Sequence, residues 1–248
     1  MTKIIFLLLF TAFNLFGSTL NVAVAANVSY AINDLITAFN KAHPDVKVQT
    51  TLGGSGKLTA QINNGAPYDI LMSANMKYPE SLYKNGQGIT KPTVYAQGAL
   101  ALFSTRARDF SKGINIVTDT NIHRIAIANP NTAPYGKASV QALKNAKLYE
   151  KVKSKFIYGE SISQTVAFSV TAADLGFIAK SSLYSDKMKR YKENKNWIAL
   201  DSNIYTPIQQ GIIILKRAKD KQDVKAFYDF ILSPKAQEIF VRYGYTLP

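Results

Sequence analysis

The segment Thr51-Leu-Gly-Gly-Ser-Gly-Lys57 carries the densest chemical content of this sequence. Glycines between a strand and a helix let the backbone approach a ligand, and the free N–H groups of a helix start face an anion. A nucleotide P-loop fails on spacing. It needs Gly where Thr51 stands and Ser or Thr where Leu58 stands. A G-x-S-x-G nucleophile elbow fails because Lys57, not Gly, stands two residues after Ser55. Two roles remain for Ser55, helix N-cap or hydroxyl donor to a ligand, and one hydroxyl can serve both.

Three further turns offer the same kind of group. Asn27 follows an apolar run and precedes a helical one. It reads as a cap or turn residue, or as an amide donor converging on Ser55. Tyr135 ends the loop 129–136 before a helix, as a packed aromatic or as a hydroxyl donor. The turn 159–164 offers a backbone N–H at Ile162 or Ser163, and its Glu160 suits a helix N-terminus better than catalysis. No acid stands among the proposed side-chain donors. Neutral donors suit a fully deprotonated oxyanion, which only accepts hydrogen bonds, and they need no buried counter-charge.

Other chemistries are poorly served. The chain has no cysteine and two histidines, His43 beside Pro44 and His123 at a strand start. Thiolate metal sites, disulfides, a Cys nucleophile and a lipid-anchored cysteine are excluded. No metal is expected to be bound directly by side chains. No paired carboxylates stand in a convincing context, and the chain is not expected to be an enzyme; an exported α/β hydrolase is the alternative from a different class. Lys+Arg number 30 and Asp+Glu 16, a formal charge of +14 in 248 residues. The basic residues are dispersed, with no helix-turn-helix or aromatic RNA-binding pattern, so this charge reads as solvated surface and no nucleic-acid partner is expected.

The elements that must position these turns alternate strand and helix. Strands are expected at 20–25, 46–50 and 69–72, with helices at 32–39 and 57–64 between them. This order predicts parallel strands with helices on both faces. A second series follows: strands at 99–104, 124–128, 155–158 and 175–179, with helices at 137–146 and 163–171. The strand 211–215 returns to the first unit, and two amphipathic helices close the chain, striped by Val224, Phe227, Tyr228 and Ile231 and by Ala236, Ile239, Phe240 and Tyr243. The expected fold is α/β with two lobes, 20–98 plus 206–248 and 99–205, joined by two hinge crossings and enclosing a cleft. Loops after adjacent parallel strands converge at that cleft.

Residues 1–19 read as an export signal: Lys3, an apolar run from Ile4 to Phe16, then small residues. The Ala23-Val24-Ala25 triplet has the form of a cleavage site but falls inside the first strand, so cleavage is placed near 17–20.

The residues Val22-Ala-Val-Ala-Ala-Asn27, Gly54-Ser-Gly-Lys-Leu-Thr-Ala-Gln-Ile-Asn-Asn-Gly-Ala-Pro-Tyr-Asp69, Ser73-Ala74, Ala226-Phe-Tyr-Asp-Phe230 and Ile239-Phe-Val-Arg-Tyr-Gly-Tyr245 resemble the molybdate-binding proteins of bacterial ABC importers, which are type II periplasmic binding proteins. The resemblance covers nearly the whole chain after the signal. It implies a periplasmic, monomeric carrier of molybdate, and of tungstate, that serves a membrane permease and its ATPase. A carrier selective for tungstate or for sulfate is the neighbouring alternative. By the same resemblance the oxyanion contacts fall on Asn27, Ser55, Tyr135 and Ile162, with Ala26 as a backbone donor. Some members carry a tyrosine where this chain has Ala179, which leaves Tyr135 to supply the phenol.

Overall fold

A computed structural model describes residues 18–248. The expected signal at 1–19 falls outside them except for its last two residues, and the first strand already begins at Thr19.

Four strands come first: β1 (Thr19–Ala25), β2 (Lys47–Gly53), β3 (Ile70–Ser73) and β4 (Thr93–Gly98). Helices α1 (Ile32–Asn40), α2 (Ser55–Asn63) and α3 (Lys77–Lys84) connect them. The chain then crosses to a second sheet of β5 (Leu100–Phe103), β6 (Ile125–Ala128), β7 (Phe156–Gly159), β8 (Leu175–Ala179) and β9 (Trp197–Ala199). Helices α4 (Pro134–Asn145), α5 (Tyr149–Val152) and α6 (Ile162–Thr171) belong to this part. It crosses back into β10 (Ile208–Ile214), and α7 (Gln222–Ile231) and α8 (Pro234–Arg242) finish the fold. Strand orders are β2-β1-β3-β10-β4 and β7-β6-β8-β5-β9. Two α/β lobes with two crossings result.

Neither sheet is wholly parallel. β2, β1 and β3 run parallel, as the βαβ order dictates, but β10 is antiparallel to β3 and to β4. In the second sheet β6 is parallel to β7 and β8, whereas β5 is antiparallel to β8 and β9. The antiparallel pairs all involve β5 or β10, the strands that the chain enters directly from the other lobe.

Alternation along β1 decides the first core. Leu20, Val22 and Val24 pack with Leu35, Phe39, Phe227, Ile231 and Phe240 of α1, α7 and α8. Ala23 faces the other way, toward Leu58, Ile62 and Leu82 of α2 and α3. Both faces are therefore dry at β1, as in the interior of a parallel sheet, while the edge strand β2 remains largely exposed. In the second lobe Leu100, Leu102, Ile125 and Phe177 pack with Ala142, Leu143 and Val152, while Ala101, Phe103 and Ile178 meet Val166, Leu183 and Trp197. Each such large side chain contributes roughly 1.5–3 kcal/mol by leaving water.

Three element boundaries differ from expectation where it matters. β2 runs on to Gly53, pairing Thr51, Leu52 and Gly53 with Ala23, Val24 and Ala25. α2 starts at Ser55 rather than at 57. α4 starts at Pro134, a residue preset for the first helical position, so Tyr135 lies inside the first turn. Among the described residues no helix is long and apolar enough to cross a membrane.

Candidate functional site

The carboxyl ends of β1, β2, β6 and β7 point toward the junction between the lobes. Each is followed by a helical start: a 3-10 turn over Ala26–Tyr30, then α2, α4 and α6. Ala26, Asn27, Ser55, Tyr135 and Ile162 all line one small cavity there, together with Gly54, Ala74 and Pro134. The cavity is small, about 10 Å³, and nearly closed in this arrangement of the lobes. No charged side chain lines it. Larger hollows lie elsewhere on the surface, one of about 880 Å³ between α1 and α8 and one of about 460 Å³ beside Arg106, Arg108 and Arg124. The first stands away from these loops, and the second sits at the opposite ends of β6 and β8.

Ser55 is the first residue of α2, with Gly54 at the cap position and no side-chain cap bond. Its Oγ instead accepts the Ala74 N–H at 2.9 Å, across from the end of β3. The capping role is therefore not the one observed, and the Ser55 hydroxyl hydrogen stays available. Ile162 is the first residue of α6. Ser161 caps that helix, its Oγ accepting the Gln164 N–H at 3.3 Å. First-turn N–H groups have no intrahelical acceptor. Among the described residues no hydrogen bond leaves the N–H of Ser55, Tyr135 or Ile162. Three helix N-termini, each carrying partial positive charge, thus bring unpaired donors to the lining of one cavity.

Two side chains do something other than the sequence implies. The Asn27 side chain is fully buried, but its Nδ2 donates to Gln210 Oε1 at 2.8 Å and to Tyr245 Oη at 2.8 Å. The amide expected to donate to a ligand is spent on the fold, and Asn27 Oδ1 is buried without a partner. Its backbone carbonyl accepts from Tyr245 Oη at 2.9 Å and Ser181 Oγ at 3.1 Å, which locks the turn. What Asn27 and Ala26 can offer the cavity is main-chain N–H.

The Tyr135 phenol also turns away. Its Oη lies against Gly98 and the Gln210 amide, neither of which lines the cavity, and it has no hydrogen-bond partner. Burial pushes its pKa well above the ordinary tyrosine value, helped by Tyr245, Tyr95 and Tyr205, while the nearby Asn27 side chain offsets a little of the rise. Tyr135 lines the cavity, its first-turn N–H is without a partner among the described residues, and its hydroxyl packs against Gly98. Ala179 is buried at the end of β8 and does not line it.

Gln210 and Tyr245, which hold Asn27, lie 183 and 218 residues from it in the chain. No local pattern announces such partners. Ser163 is also new as a contact. Its Oγ donates to the Ala26 carbonyl at 2.8 Å, tying the second lobe to the first beside the cavity.

Two α/β lobes joined by two crossings, with a small donor-lined cavity at their junction, define a two-lobed solute-binding protein. The family model described as bacterial extracellular solute-binding protein matches residues 20–246, and the chain belongs to that family. It is 36% identical over 233 residues to the molybdate-binding protein ModA of Azotobacter vinelandii, covering 93% of this chain and 91% of the relative. The ModA of Rhodobacter capsulatus is 33% identical over 227 residues, covering 90% and 86%. The solved structure of the Azotobacter vinelandii periplasmic molybdate-binding protein superposes with a TM-score of 0.86 at 31% identity, covering 92% of this chain and 99% of that one.

Proposed function

We propose that this chain is the substrate-binding component of an ABC importer, that it holds molybdate, and also tungstate, in the interlobe cavity, and that it delivers the anion to a membrane permease driven by its ATPase. One observation supports the reading: Ser55, Tyr135 and Ile162, whose N–H groups have no partner among the described residues, line one small uncharged cavity. A tetrahedral dianion accepts from all of them. Charge-assisted bonds from neutral donors stabilise it with no side-chain counter-charge to desolvate. The metal arrives wrapped in its own oxygens, so no protein group coordinates it and none is assigned a catalytic role.

The proposed first lobe is 20–98 plus 206–248 and the second 99–205, each supplying part of the donor set. Ala26, Asn27 and Ser55 act from the first, Tyr135 and Ile162 from the second. The closed arrangement is favoured when the anion bonds to both lobes at once, a population shift set by its differential affinity. The protein works in the periplasm as a monomer after export. The names of the relatives above support molybdate as the cargo.

Calorimetric titration with molybdate, tungstate, sulfate and phosphate tests this. Tight binding of the first two and weak binding of the others is the expected result. Tight sulfate binding with weak molybdate binding would overturn the choice of cargo.

A further inference from the structure

The glycines around Ser55 carry more than an open backbone. Gly54 has φ −65° and ψ 136°, and Gly56 lies in the first turn of α2. Any residue adopts these conformations, so backbone freedom does not require glycine at either place. Space does. A Cβ on Gly54 would lie 3.1 Å from the Glu160 carbonyl oxygen and 3.4 Å from that of Thr132. A Cβ on Gly56 would lie 3.0 Å from the Thr132 oxygen and 3.1 Å from its Cα. Both partners belong to second-lobe loops, and Gly56 N–H donates to the Thr132 carbonyl at 2.9 Å. The two lobes meet here backbone to backbone. Opposite, Ser163 Oγ reaches the Ala26 carbonyl, with Ser29 Oγ 3.3 Å away. The outer Lys57–Glu160 pair at 3.2 Å is exposed on both sides and adds little.

We infer that Gly54 and Gly56 form the stop that ends lobe closure and so set the size of anion the cavity accepts. This rests on the anion-binding reading above. Close-packed backbone does not compress. With the stop in place, the gap between Ser55 on one lobe and the Tyr135 and Ile162 N–H groups on the other is fixed. A smaller dianion of the same shape, such as sulfate, leaves one set of bonds stretched. A larger one holds the lobes apart. Selection among like-charged tetrahedral anions then lies in two glycines, of which Gly54 lines the cavity and Gly56 does not.

Gly54→Ala is the cleaner wedge, because its three nearest atoms all belong to the second lobe. Gly56→Ala is the larger one, and its Cβ also meets Tyr78 Oη at 2.7 Å within the first lobe. Stopped-flow kinetics and small-angle scattering are read on both variants and the wild type, with molybdate and with sulfate as probes. Expected are a molybdate Kd raised about tenfold by faster dissociation, association within about twofold of wild type, and a larger loss for sulfate than for molybdate. The saturated variants should scatter as more open molecules than the saturated wild type. Variants that melt like wild type yet close to the same dimensions with unchanged dissociation rates would overturn the inference. Should Gly56→Ala not fold, Gly54→Ala decides alone. If the wild type binds none of the anions, the reading of function fails. The stop is then judged by ligand-free scattering, where more open variants support it and an unchanged profile rejects it.

Discussion

The Tyr135 hydroxyl fills the space in front of Gly98: a Cβ at position 98 would sit 2.0 Å from Tyr135 Oη and 3.0 Å from its Cζ. One residue lies in the first turn of a second-lobe helix, and the other ends β4 where the chain crosses between lobes. The phenol therefore packs the hinge, while the N–H of the same residue, which lines the cavity, has no partner among the described residues. Tyr135→Phe removes a buried oxygen that has no partner. Its expected effect is unchanged or higher stability, by up to about 1 kcal/mol, and molybdate affinity within about threefold of wild type. Gly98→Ala must displace the ring and should cost about 1–3 kcal/mol. Melting curves and calorimetry on the two variants check this. A large affinity loss in Tyr135→Phe would return the phenol to the ligand.

Ser55 serves two partners at once. Its oxygen accepts from the buried Ala74 N–H and its hydrogen remains for the anion. Ser55→Ala should weaken molybdate binding by about 1.5–3 kcal/mol, the range for hydrogen bonds to charged groups. It should also lower ligand-free stability by roughly 1 kcal/mol or more, because the Ala74 N–H loses its acceptor. Titration calorimetry reads the first effect and denaturant unfolding the second. Wild-type affinity in a folded Ser55→Ala protein would remove Ser55 from the site.

Much of this site is legible in the sequence, because it is built at turns. Strand, glycines, serine and helix follow one another around Ser55, and strand-to-helix turns stand at Asn27, Tyr135 and Ile162. Those positions do meet at one cavity. Which atom of each residue faces the cavity is not legible. Asn27 donates elsewhere because Gln210 and Tyr245 arrive from the far end of the chain. Tyr135 carries an unpaired first-turn N–H because α4 begins at Pro134, three residues before the expected start at 137. The fold shows the same division. Long amphipathic stripes such as Val224 to Ile231 mark their helix. α3 is not anticipated, because it is short, carries Pro79 in its first turn and buries only Pro79 and Leu82. β4 and the three-residue β9 also escape, since pairing partners rather than pattern define them.

Acidity and alkalinity should act on different properties. No carboxylate, lysine, arginine or histidine lines the cavity, and the Tyr135 phenol is held well above its ordinary pKa by burial. Anion affinity is therefore expected to be flat from about pH 6 to about pH 9. Calorimetry across that range checks it, and a tenfold trend would mean a titrating group in the site. Stability behaves differently. Burial raises Tyr95 and Tyr135 well above the ordinary value of 10.0, and Tyr245 above it as well. The folded state keeps protons that the unfolded chain releases above that value. Their contribution is thus complete below pH 10 and is lost as pH rises beyond it. Melting temperature should fall steeply there, and less steeply in Tyr95→Phe.

Asp69 supplies the remaining prediction, and it concerns the frame rather than the ligand. The carboxylate is fully buried at the start of β3. Oδ2 accepts the Asn21 N–H of β1 at 2.8 Å, while Oδ1 takes Lys221 Nζ at 2.8 Å and Arg217 Nε at 3.3 Å from the segment leading into α7. One side chain thus ties two strands to the tail of the chain, which returns nearly 150 residues later. Asp69→Asn cannot satisfy both ends, because its amide must point a donor either at the Asn21 N–H or at the two cations. The cost should be about 2 kcal/mol. Lys221→Ala should cost under about 1 kcal/mol, since that cation is 38% exposed and Arg217 remains. Urea midpoints at constant slope separate the two values. The cavity lies at the other end of β3, so folded Asp69→Asn should bind molybdate as wild type does. Equal losses in the two variants would mean that Lys221, not the strand contact, carries the tie.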